Sequence, residues 1–118
     1  EPQENGNKTE VRWAALIGED GTGLLVTGLP LIDVSAHHYT TGDLDRAKHT
    51  HELTYTDFIT LNVDGMMMGV GGDNSWGARP HEEFRIPAGA MSFRFRIRPF
   101  RADDGLWMQT GWTVPPIL

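Results

Sequence analysis

Two runs in this sequence repeat with a period of two, and they leave little choice of fold. Ile59, Leu61 and Val63 alternate with Phe58, Thr60 and Asn62, and Phe93, Phe95 and Ile97 alternate with Arg94, Arg96 and Arg98. Successive side chains of a β-strand point to opposite faces, so such runs read as strands with distinct faces. Six of the eight arginines lie between Arg79 and Arg101. Their alternation with apolar residues marks a solvated or interface face of a strand rather than an anion site.

The same reasoning extends along the chain. Val11, Trp13, Ala15 and Ile17 alternate with Arg12, Ala14 and Leu16, which predicts a strand covered on both faces. The glycine-rich loop from Gly18 to Gly23 returns it to Leu24-Leu-Val-Thr-Gly as a hairpin. Pro30 predicts a break before Leu31–His37, where Ile32, Val34 and Ala36 share a face. Thr40 and Thr41 ahead of Asp43-Leu-Asp-Arg predict a short capped helix. Asp64-Gly65 is a hairpin turn signal, so Met66–Val70 is expected to return as a strand. Glu83-Phe-Arg-Ile and Met91–Arg98 complete the set. About seven short strands joined by turns predict an all-β, antiparallel β-sandwich with one short helix.

A chain of 118 residues makes one domain at most. Without cysteine it has neither a disulfide staple nor thiolate chemistry. A net charge of -6 argues against nucleic acid as a partner. No run approaches the ~18 apolar residues of a membrane span, so no membrane partner is expected. Glu1-Pro-Gln-Glu-Asn is neither basic nor apolar and reads as no signal peptide. The lack of an initiating Met is what a processed or excised piece would show, and the compartment is not legible. After Phe100 the strand pattern ends. Trp107, Trp112 and Pro115-Pro116 then read as a tail that needs another surface to lie on.

The chemistry concentrates between Gly71 and Gly77. Three glycines, Gly71, Gly72 and Gly77, frame Asp73, Asn74, Ser75 and Trp76. Glycine admits positive φ, and Asp, Asn and Ser bond their own backbone in turns. A large aromatic so placed is either a plug folded onto the core or a stacking platform for a ligand. Elsewhere the signals are weaker. Ser35, Ser75 and Ser92 lack a nucleophile-elbow setting. His49 and His51, two apart, would face the same way on a strand, and with His37, His38 or His81 could converge on zinc. Their spacing matches no typical site, so no metal is assigned. Glycoside hydrolysis needs two carboxylates about 5 Å apart for retention. Glu82 and Glu83 sit adjacent on an expected strand and point to opposite faces, which disqualifies them as a pair. Glu4 and Asp73 fall on loops.

Four motifs in order resemble one family. Pro2-Gln-Glu-Asn-Gly, His49-Thr-His-Glu-Leu, Asn62-Val-Asp-Gly and Met68-Gly-Val-Gly-Gly-Asp-Asn-Ser-Trp are similar to the last domain of the glycoside hydrolase family 2 β-galactosidases. The resemblance implies about half of a galactose-mutarotase-like supersandwich over residues 1–100, with residues 101–118 an extension lacking a counterpart. It implies a parent that hydrolyses terminal β-D-galactosides, such as lactose, with retention. The catalytic glutamates and most magnesium ligands would lie in a barrel domain absent here, so this chain would carry no catalytic residue and no cofactor. Trp76 would stack on the sugar of the aglycone site, with Asp73 and Asn74 beside it and Glu4 and Asn5 bordering the same pocket. The expected partners are the remaining domains of the parent and a carbohydrate, galactoside or glucose. An exposed edge and apolar face would favour self-association, or a radius of gyration above the roughly 13–14 Å of a compact chain. A stand-alone carbohydrate-binding module, or a mutarotase-like enzyme with a His base and a Glu across one pocket, are the other readings.

Overall fold

The computed structural model describes residues 2–104. Everything is organised on one long strand. β1 (Lys8–Ile17) turns back at the Gly18–Gly21 loop into β2 (Thr22–His37), and the two pair antiparallel. Gly21, at φ 77°, and the Gly18 N–H to Thr22 O bond of 2.8 Å close that turn. After β2 come the helix α1 (Thr41–Arg46) and a 3-10 turn (Thr50–Glu52). β3 (Thr60–Asp64) and β4 (Phe95–Arg101) then both pair antiparallel with β2.

The register shows how the edges are used. β1 lies along one edge of β2, from Gly23 to Val34. On the other edge β4 takes Thr22–Gly28 and β3 takes Asp33–His37. β3 and β4 therefore lie end to end and run in the same direction. Between them the chain leaves the sheet at Gly65 and comes back at Phe93. These two residues touch, since a Cβ on Gly65 would fall 2.6 Å from the Phe93 ring.

The core follows β2. Leu25 and Val26 are neighbours in sequence and both buried, so both faces are covered there. Ile32 and Val34 are buried on one face, as the sequence spacing requires, with Val63 opposite Val34 and Leu61 opposite Ala36. Asp33 and Ser35 are buried on the other face. Asp33 Oδ1 accepts the Glu10 N–H at 3.1 Å, and Asn62 Nδ2 donates to Ser35 Oγ at 3.1 Å. These bonds satisfy polar groups that would be costly to bury alone. Phe100 is buried beside Gly23, where no larger residue fits.

The all-β, antiparallel class with one short helix is as expected, but several elements differ. The described residues hold four strands in one sheet, not about seven. Pro30 does not end a strand. β2 continues through a cis Leu29–Pro30 bond, and residues 28–31 bulge out of the β1 ladder, so Val11 faces Ile32 while Trp13 faces Thr27. Proline lacks an N–H, but a bulge needs none there. β1 is only half-buried, and Ile17 is exposed. Met66–Val70 is not a strand, and Asp64-Gly65 makes no hairpin. A strand needs a row of backbone partners, yet in this segment only Gly69 N–H, to Phe84 O at 2.7 Å, is so bonded among the described residues. Glu83–Ile86 is not a strand either: Glu82–Phe84 forms a 3-10 turn. The last strand starts at Phe95 and ends at Arg101 rather than running from Met91 to Arg98. Ala102 N–H still donates to Gly21 O at 2.8 Å, so the region read as an extension begins inside the sheet. Its residues 105–118, with Trp107 and Trp112, lie outside the described residues.

The helix is where the threonines placed it. Thr40 caps α1 and Asp43 answers it in a reciprocal capping box. Arg46 ties this turn to the next, donating to Asp43 Oδ1 at 2.8 Å and to Glu52 O at 3.2 Å. Glu52 in turn accepts from Lys48 N–H at 2.9 Å and from His49 Nδ1 at 3.1 Å. The Arg46 bond, aided by those from Thr40, holds the Asp43 carboxyl below its usual range. The Lys48 N–H, then His49, does the same for Glu52. A carboxylate depressed in the folded state stabilises it at pH above the ordinary value of about 4, and that contribution is lost as pH falls through the folded value. The protection of the Ala47 and Lys48 amides against exchange, taken relative to the intrinsic rate at each pH, is therefore expected to fall between neutral pH and pH 3. Asp43→Asn should remove part of that dependence, and an unchanged profile would refute the assignment.

Candidate functional site

Trp76 stands on the excursion between β3 and β4, and it is 92% exposed. Among the described residues it therefore plugs no core. The loop is built from short local constraints. Asn74 Oδ1 accepts the Trp76 N–H at 2.9 Å, an Asx turn that sets the backbone under the indole. Gly71 and Gly77 have φ of 79° and 100°, where a side chain would be strained. Gly72 lies so close to the other limb that an added Cβ would sit 2.6 Å from the carbonyl oxygens of Ala78 and Arg79. Below this neck the Gly69 N–H, donating to Phe84 O, joins the limbs again, and within the returning limb Arg85 Nε donates to Pro80 O at 2.5 Å.

Across the neck Asp73 Oδ1 meets His81 Nε2 at 2.7 Å. Nothing in the sequence pointed to the pairing of His81 with Asp73, because the partners stand eight positions apart with Gly77 and Pro80 between them. Asp73 remains 81% exposed, so its carboxylate can still accept a further bond from outside. The loop thus presents an apolar plate, an acidic acceptor and an amide already committed to the turn.

Glu4 and Asn5 sit elsewhere. Asn5 O accepts from His37 Nε2 at 2.7 Å if that nitrogen carries the proton, and Asn5 Nδ2 reaches Gln3 O at 2.8 Å. Glu4 is exposed. This segment crosses the far end of β2, next to the stacked rings of His37 and Tyr39, 4.9 Å apart. A cavity of about 310 Å³ separates Pro2 and Gln3 from α1. Asn5 and the Trp76 loop share no hydrogen bond or ion pair among the described residues. The structure brings Asp73, Asn74 and Trp76 together but leaves Glu4 and Asn5 as a second group.

His49 and His51 are not on a strand. They open and lie within the 3-10 turn, and their rings stack at 5.5 Å. Among the described residues no three His, Cys, Asp or Glu side chains cluster as metal ligands would. Glu82 and Glu83 share the 3-10 turn Glu82–Phe84, and both are exposed. Nor is any described helix long and apolar enough to cross a membrane.

The family described as "Beta galactosidase small chain" matches residues 1–97. A β-galactosidase of Priestia megaterium is 38% identical over 99 residues, which is 83% of this chain and 10% of that protein. One of Halalkalibacterium halodurans is 40% identical over 88 residues, 74% of this chain and 9% of its own. A third, of Lactobacillus delbrueckii subsp. bulgaricus, is 36% identical over 99 residues, 83% and 10%. The chain spans about a tenth of the length of these relatives. With the Trp76 loop, the N-terminal motif and the strands β1, β2 and β3 inside the matched region, the chain belongs to the β-galactosidase small-chain family.

Proposed function

We propose that this chain is an accessory C-terminal part of a β-galactosidase, and that it shapes the mouth of the active site and the site for the leaving sugar. The observation that carries the reading is Trp76, a fully presented indole on a pinched loop in a chain of this family. A sugar ring lays its C–H face on such a plate while its hydroxyls bond to the rim. Asp73 supplies an acceptor at that rim. Asn74 acts mainly through the backbone, because its side-chain oxygen already holds Trp76 N–H. Glu4 and Asn5 would join the pocket only through surfaces that the rest of the enzyme supplies.

The other domains of the parent are the proposed partners, and the uncovered apolar side chains support that. Phe95 and Ile97 stay exposed although they share a face with the buried Val26, and Phe93 just before them and Met66, Met67 and Met68 on the excursion are exposed too. The radius of gyration is 17.2 Å, above the roughly 13–14 Å of a compact chain of this length. Both fit a layer made to be covered.

The test is activity at two lengths. The whole parent protein should hydrolyse a chromogenic β-galactoside with retention, and the pure isolated chain should not, because a retaining carboxylate pair is missing. Turnover by the isolated chain that disappears on Glu4→Gln or Asp73→Asn would overturn this reading.

A further inference from the structure

We infer that His81 is a positioning residue for Trp76, acting through Asp73. The inference rests on the reading of Trp76 as a sugar platform. An indole that is 92% exposed has no packing to orient it. A platform that must be ordered on binding loses affinity to the entropy of ordering, so its direction must come from the loop beneath. The Asx turn fixes the backbone at Trp76 itself, and the glycines at the neck allow the two limbs to touch without locking them. The side-chain link across the neck is His81 Nε2 on Asp73 Oδ1 at 2.7 Å, a charge-assisted bond. Its second effect is on Asp73. With Oδ1 held by the imidazole, the carboxylate is tied to the returning limb instead of rotating freely.

The bond needs a proton on Nε2, which both the imidazolium and one neutral tautomer provide. Glutamine at position 81 offers an N–H donor of similar reach, and alanine offers none. That pair of substitutions separates the bond from the mere presence of a side chain.

The test uses the whole parent enzyme carrying His81→Ala, His81→Gln or Trp76→Ala. Hydrogen exchange read by mass spectrometry on peptides spanning 70–82 reports the loop directly. His81→Ala should speed exchange there by roughly 3- to 10-fold, the range for losing one hydrogen bond, with neighbouring peptides unchanged. It should raise the KM for glucose as galactosyl acceptor by a similar factor and leave kcat for an aryl galactoside unaltered. His81→Gln should restore both to within about twofold of the parent. Unchanged exchange in His81→Ala, or equal behaviour of Ala and Gln, overturns the role of His81. If Trp76→Ala leaves acceptor KM unmoved while His81→Ala still loosens the loop, the platform reading fails and the positioning of Trp76 by His81 stands.

Discussion

Ile32→Ala is expected to cost about 2–5 kcal/mol of stability, the range for deleting a buried branched side chain. Small domains hold only about 5–15 kcal/mol in all, so this one change should remove a large share of the chain's stability. The reason lies in where Ile32 stands. It is 1% exposed on β2, paired with Val11 just past the bulge, on the face it shares with Val34. A cavity there opens where β1 and β3 both lean on β2. Leu31 next to it is 39% exposed and provides the control. Leu31→Ala should cost less than about 1 kcal/mol, as a surface change does. Urea unfolding of the two variants decides the matter, and equal midpoints would mean that the bulge does not set the faces as described.

The second large effect is on binding. In the whole enzyme Trp76→Ala should weaken contact with the leaving sugar by about 1–3 kcal/mol, as for other aromatic anchors, or roughly 5- to 150-fold in affinity. Glucose acceptance and transfer to sugars should suffer, and galactose binding should change little. Melting should hardly move, because the side chain touches no core. The two readouts oppose each other. A large fall in melting temperature without a specific loss of acceptor affinity would make Trp76 a structural residue of the assembled enzyme.

What could be read from sequence followed the physics of each signal. The facing sets Ile32, Val34, Ala36 and Leu61, Val63 were legible because side-chain alternation is a property of the strand itself. The capped helix was legible because Thr40 and Asp43 satisfy local donors. Met66–Val70 and Glu83–Ile86 were misread because being a strand depends on a neighbour, and both edges of β2 were already taken. Pro30 was misread as a stop because its lost donor falls in a bulge. Within the site, the glycine and Asx turn chemistry announced the loop, and that Trp76 does not pack on the sheet was not legible, because it depends on tertiary placement. His81 stood out in the sequence only as a possible metal ligand, and its bond to Asp73 was not legible because it exists only once the limbs meet.

The end-to-end seating of β3 and β4 gives the excursion from Gly65 to Phe93 the character of an interchangeable cassette. It departs and returns at one point on the β2 edge, so what it contains does not enter the sheet register. Lengthening such a segment costs little, about 0.6 kcal/mol for each doubling. The loop around Trp76 can therefore change in length or content while the scaffold of β1 and β2 beneath it stays the same.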